Sequence, residues 1–230
     1  MSDEEMRPID ELREMLPTRP VFEIEFTDDN IDYLHSKIGG AYFWPDVNSP
    51  KLQFLAQINL SELPENDVFP KSGMLQFFIG DDSSYGLFAK KGGSLVVYHK
   101  DISYGIEVYK DFPDSPILKP SGMKFILKEE PMSSSDFRFK EYSFQFDEAD
   151  LGEEVYDEFS GIGCKLLGYP FFTQYDPRRK GDEHDTLLFQ LDSDSVHVMW
   201  GDVGVCNFFI NEEALKNMDF SDVLYNWDCC

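Results

Sequence analysis

Lys37-Ile38-Gly39-Gly40 and Lys165-Leu166-Leu167-Gly168 open two series that read alike. Behind the first come the aromatic turn Phe43-Trp44-Pro45, the run Phe54-Leu55-Ala56-Gln57-Ile58 and Gly73-Met74-Leu75-Gln76-Phe77-Phe78-Ile79. Behind the second come Tyr169-Pro170-Phe171-Phe172, Leu187-Leu188-Phe189-Gln190-Leu191 and Gly204-Val205-Cys206-Asn207-Phe208-Phe209-Ile210. The order is kept and the offset stays at roughly 130 residues, the mark of a duplicated unit. The copies are expected over approximately 21–110 and 141–215, inside a single domain spanning 1–230.

Outward from these runs, Pro8 to Leu16 has helical apolar spacing, stopped by Pro17. Val21 to Phe26 alternates as a half-buried strand, and Ile31 to Ser36 reads as a helical turn. Leu95–Tyr98, Ile106–Tyr109 and Lys124–Leu127 carry strand signals. Glu141 to Phe146 alternates too, with Tyr142, Phe144 and Phe146 on one face. Leu151 to Phe159 reads as a short helix closed by Gly161, and Asn211 as the cap of another. Pro113, Pro116, Pro120 and Gly122 mark the connector between halves. Frequent Gly and Pro turns between strands favour antiparallel pairing. The expected fold is α+β and β-rich: antiparallel sheets from two duplicated halves sharing one core, with a few short helices.

The 230 residues carry 44 acidic against 20 basic side chains, a net charge of -24. That field repels phosphate backbones and anionic lipids, so nucleic acid and membrane are not expected partners. It suits a solvated surface, a cation site or a basic protein partner. No run is long and apolar enough to span a bilayer. The opening Met1-Ser2-Asp3-Glu4-Glu5 is the reverse of a secretory signal, so a cytoplasmic location is expected. Cys164, Cys206, Cys229 and Cys230 lack the spacing of a disulfide framework or a zinc site. Nothing in the chain sets an oligomeric state.

Phosphate-cradling, nucleophile-elbow and paired-histidine motifs are all missing, so no catalytic residue is assigned. The densest polar cluster is Asp192-Ser193-Asp194-Ser195, followed by Trp200-Gly201-Asp202. Three readings stand for it. Asp and Ser side chains tie down turns by bonding nearby amides. Asp192, Asp194 and Asp202 together would suit a hard divalent cation such as calcium. The same carboxylates with Trp200 as a platform would suit a small ligand or partner. Trp44 carries two readings as well, a core-capping turn or an aromatic wall. Gln57 and Gln190, at matching positions inside apolar runs, must find partners if buried; bonds at a sheet edge or between the repeats are expected.

Taken together, Gly39-Gly40, Trp44-Pro45, Leu52 to Ile58, Gly73 to Phe78, Leu188 to Asp194 and Trp200-Gly201-Asp202-x-Gly204 resemble the YwqG-like family over nearly the whole chain. The resemblance implies a bacterial cytoplasmic protein with a compact β-rich fold, and brings no catalytic mechanism. Some members are associated with toxin–immunity loci, which implies protein binding. The expected function is that of an interaction protein, in its specific form an acidic immunity-type protein for a basic partner. The alternative is a divalent-cation or small-ligand binding protein using Asp192, Asp194 and Asp202. A hydrolase acting through paired carboxylates ranks third.

Overall fold

The computed structural model describes residues 7–29, 31–89, 91–146, 151 and 153–230. Its strands are β1 (Thr18–Thr27), β2 (Lys37–Ile38), β3 (Tyr42–Trp44), β4 (Gln53–Asn59), β5 (Met74–Ile79), β6 (Ser94–His99), β7 (Ile106–Val108), β8 (Ser121–Pro131), β9 (Lys165–Leu167), β10 (Thr186–Asp192), β11 (Val205–Ile210) and β12 (Val223–Asp228). The helices are short: α1 (Pro8–Met15), α2 (Lys140–Ser143), α3 (Glu154–Phe159) and α4 (Glu212–Lys216). The fold is thus α+β and β-rich, with antiparallel sheets, as the turn chemistry predicts.

Ten strands form one sheet in the order β12-β11-β10-β9-β1-β8-β2-β4-β5-β6, and β3 pairs with β7 in a small second sheet. The large sheet curls until its edges, β6 and β12, approach each other without sharing a ladder. Its inner face encloses the main core, where Phe77 lies 4.5 Å from Phe189 and 5.1 Å from Phe208, ring centre to ring centre. Side chains close the seam: Tyr225 Oη donates to Tyr85 O at 3.0 Å and Trp227 Nε1 to Ser84 O at 2.7 Å. On the outer face, the small sheet covers Phe54 and Phe78 with Tyr42 and Trp44. Both faces of β4, β5, β10 and β11 are therefore buried, which is why these runs are apolar throughout rather than alternating.

The two sequence series occupy corresponding places. Lys37 and Ile38 pair with Gln57 and Ala56, while Lys165 and Leu166 pair with Gln190 and Phe189. The halves interlock through their long strands. β1 lies between β9 and β8, both from the second half, and β8 lies between β1 and β2, both from the first. Each half hands its leading strand to the other.

Gln57 and Gln190 form one device built twice. Gln57 Nε2 donates to Tyr33 O and His35 O, and its Oε1 accepts from Phe43 N. Gln190 Nε2 donates to Gly161 O and Gly163 O, and its Oε1 accepts from Phe171 N. Each clamps the loops flanking its own hairpin. The expected edge or inter-repeat bonds are corrected here: both glutamines lie inside the sheet, fully buried, and bond within their own half.

Other local readings are also corrected. Glu141 to Phe146 is helix and turn, not strand. Tyr142 and Phe146, four residues apart, pack against the core cluster that contains Leu12 and Phe159, while Phe144 is 79% exposed, which is helical periodicity. Ile31 to Ser36 forms bends and turns, not a helix. The strand expected at Lys124–Leu127 runs from Ser121 to Pro131, starting directly after Pro120. α3 matches the helix expected there, although 147–150 and 152 lie outside the described residues.

Candidate functional site

Asp194 is a turn carboxylate. Its Oδ1 accepts from the amides of Val196, His197 and Val198 at 2.9, 2.7 and 3.1 Å. Its Oδ2 meets His197 Nδ1 at 2.5 Å. Burial pulls its pKa upward, but the His197 contact and the amides outweigh it and hold the value at about 2. A carboxyl depressed in the fold stabilises above its unfolded value, near 3.9, and loses that contribution as pH falls through about 2. Its side chain is 36% exposed, so solvent screening reduces the effect. Asp194→Asn is expected to cost about 1 kcal/mol at neutral pH, a gap that closes near pH 2. Urea unfolding at both pH values checks this, and a gap unchanged by acid would refute it.

Asp192 sits at the end of β10, nearly buried, where its Oδ2 accepts from Gly163 N at 2.9 Å. Burial raises its pKa. Asp202 is exposed, and its backbone carbonyl accepts from Cys230 N at 3.3 Å. β10 and β11 do pair as expected. Yet among the described residues no group of three or more His, Cys, Asp and Glu side chains is placed to hold a metal ion. The carboxylates of Asp192 and Asp194 are occupied by backbone amides.

Trp200 is fully buried. Its ring meets Tyr85 edge-on at 5.4 Å and Trp227 at 6.0 Å. Ser193 Oγ accepts from Trp200 N and donates to Gly204 O, tightening the turn. Gly201 lies against Cys229 and Trp227. Trp200 therefore offers no platform at the surface; it underpins Trp227 at the end of β12. Trp44 packs edge-on against Phe78 and His99 in the outer-face cluster, as in its structural reading.

What Trp200 supports is a groove of about 520 Å³ along the end of β12. Four consecutive residues, Asn226 to Cys229, form its floor. Leu87 and Phe88 line it from the loop before β6, and Tyr175 and Pro177 from the loop before β10. Phe88 is 82% exposed and Tyr175 73%, unusual for residues of that size. Among the described residues, the backbone of β12 bonds to β11 alone, so its outer edge, which faces β6 across the seam, carries no backbone ladder.

The walls are rigidly mounted. Asp228 Oδ1 accepts from Thr173 N and Oγ1 at 3.2 and 3.0 Å, and its Oδ2 from Gln174 N at 3.0 Å. On the far side of Tyr175, the buried Arg178 donates to Asp176 and Asp136 at 2.7 and 3.0 Å. Asp82 holds the opposite loop through Ser84 and Gly86, contacts led by the Ser84 hydroxyl that keep its pKa low. The arrangement suits an extended chain, which can bond to a strand edge and place alternate side chains between aromatic walls.

The sequence marks Trp200 and Asp202 but not the surface that Trp200 supports. Phe88 and Tyr175 lie in loops with no periodicity to mark them. Val223, Tyr225 and Trp227, alternating with Leu224 and Asn226, were the available signal for β12.

Residues 36–229 match the family described as DUF1963, a domain of unknown function. No curated protein matches the chain. No helix among the described residues is long and apolar enough to cross a membrane.

Proposed function

We propose that this chain, which belongs to the DUF1963 family, is a binding protein that takes up a basic, extended segment of a partner protein in the groove at the end of β12, whose outer edge carries no backbone ladder. The observation that carries this reading is the unpaired strand edge between two exposed aromatic walls, Phe88 and Tyr175. Main-chain bonds to an edge supply affinity, and the walls supply selectivity for apolar or aromatic side chains. The charge of -24 chooses the partner's sign. A second copy of this chain would meet like charge, whereas a basic partner is drawn in by long-range attraction. The YwqG-like resemblance gives this reading its specific form, a bacterial, cytoplasmic, immunity-type protein that masks a basic target.

The test uses a Lys- and Arg-rich extended peptide with alternating aromatic residues, and its Glu-substituted counterpart. The basic peptide is expected to bind, at a rate falling steeply with salt. Phe88→Ala combined with Tyr175→Ala should weaken binding about tenfold or more. Both rings are exposed, so unfolding free energy should stay within about 0.5 kcal/mol of the parent. Equal binding of the acidic counterpart, or indifference to the double substitution, would rule the groove out.

A further inference from the structure

A second cavity, of about 320 Å³, opens where β1, β9 and α4 meet the loop before β5, and it shares no lining residue with the groove. Its volume lies at the small end of small-molecule sites. The corresponding niche of the first half, about 220 Å³, is lined by Gly39 and Gly40, and there the chain's own Ile117 packs so tightly on Gly39 that a Cβ would lie 2.7 Å away. In the second half the place of Gly39 is taken by Leu167, which holds φ +61. A leucine is strained in that region. The strain keeps an apolar side chain in the cavity wall, and such strain concentrates at ligand sites.

The charged groups around it are unevenly satisfied. Lys216 is neutralised by Glu212 and Glu213 at 2.9 and 2.7 Å. Arg19 Nη1 reaches only Asp185 O, at 3.3 Å, while its Nε and Nη2 have no partner among the described residues. Its guanidinium is steadied over the Tyr169 ring. Asp67, on the opposite loop, is exposed and makes no side-chain hydrogen bond or ion pair among the described residues. A pure anion would face Asp67 and the acidic field, and a pure cation would face Arg19. Only a ligand with both charges satisfies both walls.

We infer that this cavity binds a small zwitterion, an α-amino acid with an apolar side chain. Its carboxylate meets Arg19, whose planar fork suits that group. Its ammonium meets Asp67, and its side chain lies against Val68, Leu167 and Leu215. The inference is independent of the groove.

Calorimetric titration of the whole chain tests it, using L-leucine, its amine half (isoamylamine) and its acid half (4-methylpentanoate). Leucine should bind saturably, and each half about tenfold or more weaker, the loss expected of one charge-assisted contact. Arg19→Met should lower leucine to the affinity of the amine, leaving the amine unchanged. Asp67→Asn, on an exposed loop and safe for folding, should lower leucine to the affinity of the acid. If Arg19→Met fails to fold, Asp67→Asn with the two halves decides the matter. No saturable binding of leucine at millimolar concentration overturns the site. Leucine binding that survives either folded substitution overturns two-point recognition.

Discussion

Arg178→Ala is expected to lower the unfolding free energy by about 3–5 kcal/mol, the cost of breaking a buried ion group by removing one partner. The Arg178 side chain has no solvent exposure, nor has Asp136, and Asp176 has 4%. Arg178 Nε and Nη2 donate to the two oxygens of Asp176 at 2.9 and 2.7 Å, and Nη2 also reaches Asp136. The guanidinium lies 4.0 Å above the Phe209 ring on β11. Alanine would leave the Asp176 carboxylate without a counter-charge, held only by the backbone amides of Phe137 and residue 178, and leave Asp136 to Arg138 alone. Lysine can replace the charge but not the fork or the stacking, so Arg178→Lys should also be clearly destabilising.

Acid gives the loss a signature. Burial raises the pKa of Asp136, but Arg138 and Arg178 outweigh it and hold it below the usual carboxylate range. A depressed carboxyl stabilises above its unfolded value and loses that contribution as pH falls through its folded value. The deficit of Arg178→Ala should therefore be full above about pH 4 and shrink below it. Urea unfolding at neutral and acid pH measures both effects. A neutral-pH loss under about 1 kcal/mol, as for a surface pair, would show that the group is not the anchor described here. Because this group holds the loop bearing Tyr175, the same substitution should also weaken peptide binding at the groove.

The legible parts of the chain were those set by local chemistry. Lys37 to Gly40 and Lys165 to Gly168 announced two hairpins because the backbone after each lysine needs left-handed residues. Gly168 shows why: at φ +73, a Cβ there would lie 2.2 Å from Glu130 Oε2. Gln57 and Gln190 announced buried amides, since a polar group inside an apolar run must be paired. What stayed hidden was non-local. The full length of β8, expected only at Lys124–Leu127, was masked by Pro113, Pro116 and Pro120, which punctuate the approach but stop one residue before the strand. The placement of β1 beside β9 joins residues far apart in the chain, and no periodicity encodes it. Tyr142 and Phe146 alternate as well as they repeat every fourth residue, so packing against α1 decided the helix. Trp200 and Asp202 read as a candidate site, but Trp200 belongs to the underside of one, visible only once β12 is in place.

Separated at the connector, residues 1–112 and 113–230 are expected to remain unfolded alone and to recover a cooperative fold when mixed. β1 has no neighbour within its own half, and neither has β8. The ladder between them runs for ten residue pairs, from Thr18–Pro131 to Thr27–Gly122. A lone first fragment would lose partners for Val21, Phe22 and Ile24, all buried in the intact chain. At about 1.5–3 kcal/mol each, these three side chains account for about 5–9 kcal/mol, comparable to the whole stability of a domain. Self-pairing is no escape. The matching registers of β2 with β8 and β9 with β1 place Glu25 and Lys124, which face each other, at equivalent positions. A homodimer of either fragment paired the same way would set Glu25 against Glu25, or Lys124 against Lys124, and like charges directly opposite oppose pairing. Circular dichroism and urea unfolding of each fragment and of the mixture distinguish the outcomes. Cooperative unfolding of either fragment by itself would mean that the halves are separate domains, and that the exchange of leading strands contributes little to holding the sheet together.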